Sequence, residues 1–333
     1  MGWWDQLWKT QSQDWVYGWL NANQIPPGAP SGPVQPDTAY LNIFLKSARV
    51  VNVRRGLETF YGAVHSFMRV PHRSQMTAEF NMVITPSSLK NIDAKGIDRV
   101  VQINQRLLGP VPYVDGDLEM EVALFSVASS NLAAPYLTLL ESLSKTAGVS
   151  FISAALPFAA PILEGIRLLT GDDRNAVLEI GLSITEPKPR QGYCVVMRAP
   201  KGVVDLSRLK LDPADFRLLD ANGQAVADYP YMVLEVRAEP QRPDWFKIPD
   251  LTKAYSRIQE LYRDGSDDTN AAVQIFRRVA LTCNDLTMQD ATNLADKVAS
   301  MYAIVGAEKS TRGVRAVEKL EEFPDIRELN LYS

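Results

Sequence analysis

Apolar and polar side chains alternate over much of residues 40–237, and the period lengthens to that of a helix from residue 244 onward. In the first region Tyr40–Lys46 alternates and is rich in β-formers, and Thr59–Val70 and Gln75–Thr85 predict two strands around the polar turn Pro71–Ser74. Leu118, Met120, Val122 and Leu124 fall on one side of a strand and Glu119 and Glu121 on the other. Leu178, Ile180, Leu182 and Ile184 repeat that pattern. The run from Glu186 to Gly192 turns the chain into Tyr193–Arg198. Asp215–Leu219 and Gln224–Ala227 flank Asn222-Gly223, a strong hairpin signal, and Tyr231–Arg237 closes the set. About eight or nine short strands with hairpin-type connections predict an antiparallel β-sandwich.

Beyond Pro240 the pattern becomes helical. Leu251, Ala254, Tyr255, Ile258, Leu261 and Tyr262 form one stripe; Val273, Phe276, Val279 and Ala280 a second; Leu294, Val298, Met301, Tyr302 and Val305 a third. Residues 264–268 and 282–287 read as turns, Asp268 or Thr269 as an N-cap, and Gly306 as the stop of the third helix. The charged tail after Lys309 is expected on the surface. The expected fold class is therefore α+β: a β-sandwich over 38–240 with a helical insertion at 131–170, then a helical unit and charged tail over 241–333.

Two segments lie outside this scheme. Residues 1–23 are rich in tryptophan, and Trp4, Leu7, Trp8, Trp15 and Trp19, with Trp3 beside them, recur at spacings of three, four and seven. That spacing predicts an amphipathic helix with an aromatic stripe. The stripe can dock on the protein's own body or on another chain, and tryptophan is enriched at binding hot spots. Residues 24–37 carry Pro26, Pro27, Pro30, Pro33 and Pro36, which predicts a semi-rigid spacer. The longest apolar run, 131–170, has no charge between Thr146 and Leu163 but contains Pro157 and Pro161. It reads as a kinked helical pair packed on a sheet. The alternative is a membrane-inserting, pore-forming segment over 146–166, with Phe151, Ile152, Leu156, Phe158, Ile162 and Leu163 meeting lipid.

A net charge of −4 offers no electrostatic case for nucleic acid. Two distant cysteines, Cys194 and Cys283, are too few for a disulfide framework or a thiolate metal site and suit a reducing cytoplasm; the N-terminus lacks the order of a signal peptide. Phosphate-binding loops, HExxH, CxxC and GxSxG are all missing from the sequence, so neither a cofactor nor an enzymatic activity is expected. A thiol–imidazole dyad would have to draw on His65 or His72, and Cys194 reads instead as a buried strand residue. Asp115 and Asp117 open one strand and Asp172 and Asp173 precede another. These loops would offer calcium ligands if they met, but neither has a full ligand ladder, and turn preference explains both.

The strand DGDLEMEVALFSV, the insertion GVSFISAALPFAAPILEGIRLLTG, and YPYMVLEVR leading into DWFKIPDLTKAYSRIQELYRDG follow one another in this order. In that order the chain resembles components of bacterial anti-phage conflict systems that have C2-like sandwich folds and accompany a protease or other effector. The resemblance covers roughly 38–265 and carries over no site residue; the carboxylate set of calcium-dependent C2 domains is incomplete here. It implies a cytoplasmic adaptor or sensor that binds another protein chain, an effector or a second copy of itself.

Overall fold

The protein is described by a computed structural model over residues 15–51, 54–55, 58–72, 76–84, 100–128, 176–311 and 323–332. The chain divides into two units. The first holds nearly all the strands; the second holds three helices together with residues 35–40 and 111–113. The α+β class and the predominance of antiparallel sheet agree with the sequence pattern. The expected helical insertion at 131–170 lies outside the described residues.

In the first unit, one sheet has the order β1 (Trp15–Trp19), β10 (Arg190–Arg198), β13 (Tyr231–Glu239), β3 (Tyr40–Arg49), β7 (Val100–Pro112). The short β2 (Gly32–Pro33) also pairs with β10. The β1–β10 and β10–β13 pairings are antiparallel. The three inner strands are buried on both faces: Cys194 and Val196 on one side of β10, Val195 and Met197 on the other, are all fully covered. Burial on both faces fits β13, whose first four residues, Tyr231–Leu234, are all apolar. One face is covered by the segment from Ala199 to Tyr229, whose Leu209, Leu211 and Leu218 pack on Val195, Met197, Tyr231 and Val233.

The second sheet of this unit runs β4 (Arg54–Arg55), β5 (Glu58–His72), β8 (Leu118–Ala128), β9 (Ala176–Glu186), with β6 (Met76–Ile84) also paired to β5. Cross-strand partners put Met68, Met120 and Ile184 on one buried face, and Arg69, Glu119 and Thr185 on the other. Glu79, Arg69 and Glu119 form an ionic row on that second face. The chain passes from this sheet to the first through Pro187–Pro189.

The structure departs from the sequence pattern at several places. Trp15–Trp19 is a strand, not part of a helix, because β10 offers it a five-residue antiparallel ladder. Residues 24–37 are not a free spacer. Gln24 is buried and donates to the carbonyls of Leu206 and Leu209 at 2.6 and 2.7 Å, Val34 is buried, and β2 lies on β10. β7 is a strand that the pattern does not announce. The turn at Asn222-Gly223 is present, with Gly223 N–H donating to Asp220 O at 3.0 Å, but its flanks shrink to β12 (Leu218–Leu219) and a single bridge at Ala225. The partner of β12 is the equally short β11 (Lys210–Leu211).

The second unit has α1 (Pro249–Arg263), α2 (Thr269–Thr282) and α3 (Met288–Thr311). Pro249 opens α1, where its missing N–H costs nothing. The predicted stripes are the buried faces: Leu251, Tyr255, Ile258, Leu261 and Tyr262 on α1, and Val273, Phe276 and Ala280 on α2. Tyr255 meets Phe276 edge-on at 5.7 Å. α3 runs through Gly306 instead of stopping there. The tail is not wholly superficial either. Phe323, Ile326, Leu329 and Leu331 are buried, and Phe323 packs on Tyr255 and Tyr262.

Candidate functional site

Among the described residues β1 is an edge strand of the first sheet, and alternation puts Trp15, Tyr17 and Trp19 on one of its faces, level with Arg198, Val196 and Cys194 of β10. All three aromatic rings are half-buried. The Arg198 guanidinium lies 5.7 Å from one Trp15 ring and that of Arg190 4.7 Å from Trp19, both within cation–π range. Glu186, the last residue of β9, accepts from Trp19 Nε1 at 3.1 Å and from the Tyr17 hydroxyl. Burial, followed by the neighbouring Cys194 and Glu186, drives the Tyr17 hydroxyl far above its ordinary range, so it acts as a donor. The result is a small patch of indoles, arginines and one shared carboxylate along a sheet edge. Gly18 faces the other way: a Cβ there would come within 2.7 Å of the Leu206 side chain.

On the opposite face of this sheet lies a buried ion pair. Lys46 Nζ is 3.4 Å from Glu235 Oε2 and donates to Asn104 Oδ1 at 2.6 Å. It also stands 4.4 Å from the centre of the Phe216 ring. Glu235 Oε1 accepts from Arg237 Nη2 at 2.8 Å and from the Tyr193 hydroxyl at 3.2 Å. Burial and Glu235 together raise the Tyr193 hydroxyl well above its ordinary range. Phe216, stacked on Tyr193 at 5.8 Å, has φ 60°, and Asn104 has φ 47°. A non-glycine residue is uncommon in this left-handed region, and phenylalanine, unlike asparagine, has no polar group to support it there.

A third cluster belongs to the second unit. Arg242 is fully buried; its Nε donates to Asp244 Oδ1 at 3.0 Å and its Nη1 to the Asp285 carbonyl at 3.0 Å. Tyr40 and Tyr332 both donate to Asp290 Oδ2, at 2.5 and 2.7 Å. Asp290 N–H donates to Thr287 Oγ1 at 3.2 Å, so Thr287 caps α3 from a position three residues before a carboxylate. The donors and acceptors are matched, which is the arrangement of a structural lock on the helix start.

The thiols are poorly placed for nucleophilic work. Burial, with Glu186 adding to it, pushes the Cys194 thiol up to about 12; burial pushes Cys283 up to about 11. Both stay protonated near neutrality, and the thiolate is the reactive form. His65 is buried in β5.

The sequence-predicted residues distribute as follows. Trp15 and Trp19 come together on β1; Trp3, Trp4, Leu7 and Trp8 lie outside the described residues, as do Phe151, Ile152, Leu156, Phe158, Ile162 and Leu163. Asp115 and Asp117 are exposed in the turn before β8, where Asp115 Oδ1 accepts from Gly116 N–H at 2.8 Å. Asp172 and Asp173 lie outside the described residues. Among the described residues, three or more candidate ligands nowhere gather to hold a metal ion, and no helix is long and apolar enough to cross a membrane. Sequence reasoning missed Arg190 and Arg198, which stand eight residues apart in one strand; the even spacing that places them on one face was the available signal. It also missed Lys46 and Glu235, which look like ordinary polar positions until the strands are put in order. Comparison with family models, curated proteins and solved structures gives no match.

Proposed function

We propose that this chain is a protein-binding adaptor or sensor that acts by docking another protein chain rather than by making or breaking bonds. The carrying observation is the composition of the β1 edge: Trp15, Tyr17 and Trp19 on one strand face, with Arg190 and Arg198 set against the two indoles. Tryptophan, tyrosine and arginine are the residue types that dominate binding energy at protein interfaces. They combine large apolar contact area with a polar handle and little conformational entropy to lose. The proposal extends to the fold: the two antiparallel sheets of the first unit make a C2-like sandwich. The resemblance of the chain to sandwich components of anti-phage systems supports a setting beside an effector, such as a protease.

Deleting the first 24 residues would be an uninformative test, because it strips β1 and Gln24 from the sheet. Arg190→Glu is a cleaner perturbation: Arg190 is exposed, and its charge reversal changes the patch without opening the core. Wild type and Arg190→Glu are each crosslinked in the native host and the partners compared, with light scattering on the purified chains to detect self-association. The expected result is a discrete partner, or a discrete oligomer, that Arg190→Glu loses. Identical partners and mass for both chains would overturn the reading.

A further inference from the structure

The phase of the β1–β10 ladder fixes which backbone groups of β1 are used. Leu20, one residue past β1, continues the register opposite Tyr193, and its N–H donates to the Tyr193 carbonyl at 2.9 Å. Hydrogen-bonded and non-hydrogen-bonded pairs alternate along an antiparallel ladder. Gly18 and Val16 therefore exchange bonds with Val195 and Met197, and the N–H and C=O groups of Trp15, Tyr17 and Trp19 point away from β10. The other side of β10 agrees: Arg198 N–H donates to the Pro230 carbonyl at 3.1 Å, so the even-numbered residues of β10 serve β13 and the odd-numbered ones serve β1. Among the described residues no strand pairs with the outer side of β1, and the outward backbone groups of Tyr17 and Trp19 have no partner there.

An edge with free donors and acceptors is a template for another strand, and proteins guard such edges with charged residues, prolines or bulges. At the far end of this sheet β7 carries Arg106, Pro110 and Pro112. β1 has no charged residue and no proline, and its ladder runs through all five residues without a bulge. The order of side chains says which strand fits it. Trp15-Val-Tyr17-Gly-Trp19 places the same aromatic types at the same positions from either end. An antiparallel pairing about a two-fold axis requires such symmetry, because each residue then meets its mirror position in the other chain. With the axis at Tyr17, Tyr17 meets Tyr17 of the second copy and Trp15 meets its Trp19, all through outward backbone groups. The six rings form one row on one face, an arrangement of favourable cross-strand pairs. On the other face Val16 stands opposite glycine, which leaves room for its methyl groups. Charge permits the pairing too. Arg190 and Arg198 belong to β10, and the two β10 strands would lie three strand spacings apart, about 14 Å, beyond the Debye length of about 8 Å at physiological salt.

We propose that two copies of this chain join β1 to β1, antiparallel about Tyr17, so that the first sheet continues across a two-fold axis. The proposal rests on the reading of the β1 edge as a docking surface; it names the occupant, a second copy, and the means, backbone hydrogen bonds from Tyr17 and Trp19. The tryptophan row then contributes packing on one face of the joined sheet.

Sedimentation of the full chain over a range of concentrations tests this. Wild type is expected to show a reversible monomer–dimer equilibrium. Tyr17→Pro removes the outward N–H while the bonds of Val16 and Gly18 to β10 remain, and it should weaken the dimer by about ten-fold or more, since the two-fold axis doubles each lost hydrogen bond. Tyr17→Phe keeps that N–H and loses only the hydroxyl, so it should dimerise as wild type does. Amide hydrogen exchange of wild type, followed by nuclear magnetic resonance, needs no variant and serves should Tyr17→Pro fold poorly by circular dichroism. The Tyr17 and Trp19 amides should exchange slowly where the dimer prevails and fast on dilution, while those of Val16 and Gly18 keep one rate. A wild type that stays monomeric, a dimer that Tyr17→Pro leaves intact, a Tyr17→Phe chain as weak as Tyr17→Pro, or Tyr17 and Trp19 amides that exchange alike in monomer and dimer would each overturn the proposal. A monomeric wild type that crosslinks to a different protein, and loses it in Arg190→Glu, ends this proposal and leaves the adaptor reading standing.

Discussion

Among single residues, Arg242 has the most to lose. It is fully buried, donates to Asp244, and holds both the backbone and the carboxylate of Asp285, itself buried. A buried ion pair contributes little relative to an apolar replacement of both partners, but removal of one partner strands the other in a low-dielectric interior. Arg242→Met is therefore expected to destabilise the helical unit by about 3–5 kcal/mol, read as a lower urea midpoint of the helical circular dichroism signal. A loss under 1 kcal/mol would mean that water reaches Asp285. None of this is visible in the string Pro240-Gln-Arg-Pro243, where an arginine between prolines reads as a solvated linker position. Its partner at Asp285 stands 43 residues away.

At the scale of elements, the helices were legible and part of the sheet was not. The α1 and α2 stripes are helix faces because a period near 3.6 has no other regular structure to satisfy it. Trp15 and Trp19 are different: a spacing of four puts two residues on one face of a helix and, being even, also on one face of a strand. Only the open edge of β10 decides between them, and Tyr17, midway, joins the same face only in the strand. β7 escaped notice because Leu107 and Leu108 break alternation and Gly109-Pro110 is a turn signal. In the sheet Gly109 meets a different need. It has φ 98°, and a Cβ there would stand 2.3 Å from the Leu41 carbonyl oxygen on β3. Neither β3 backbone nor left-handed φ accommodates a methyl group, so Gly109→Ala should cost on the order of 3 kcal/mol in chemical denaturation. An unchanged midpoint would place β7 differently from the structure described.

Over the whole molecule, the buried titratable groups make stability fall in alkali. The Cys194 thiol is raised to about 12 and that of Cys283 to about 11 from an ordinary value of 9.0, chiefly by burial. Burial raises the Tyr231 hydroxyl to about 12 from 10.0, and it pushes those of Tyr17, Tyr40, Tyr193, Tyr255 and Tyr332 upward as well. The unfolded chain therefore releases these protons first. Stability contributed by the two thiols and Tyr231 is complete below about pH 8, begins to fall as unfolded thiols ionise near 9, and is lost as pH approaches 12; the other tyrosines keep losing theirs at still higher pH. Urea midpoints measured from pH 7 to 11 should be flat and then decline, and Cys194→Ala should make the decline shallower whatever it does to the neutral-pH value. A slope unaltered by Cys194→Ala would mean that the thiol is not buried in the folded protein.

The sequence by itself determined which stretches are strand and which are helix wherever one period ran long enough to exclude the other, and it determined the order of sheet before helices. It also marked the tryptophans as unusual, since aromatic clustering is a property of composition and spacing. The tertiary structure alone decided the order of strands within each sheet, and with it everything that depends on neighbours across strands. Arg106 and Arg237 share Phe44, Glu235 answers Lys46, and Glu186 joins Tyr17 to Trp19 because strands far apart along the chain lie side by side or meet at an edge. Local periodicity reports which face of an element a side chain takes; it carries no record of which element will lie next to it.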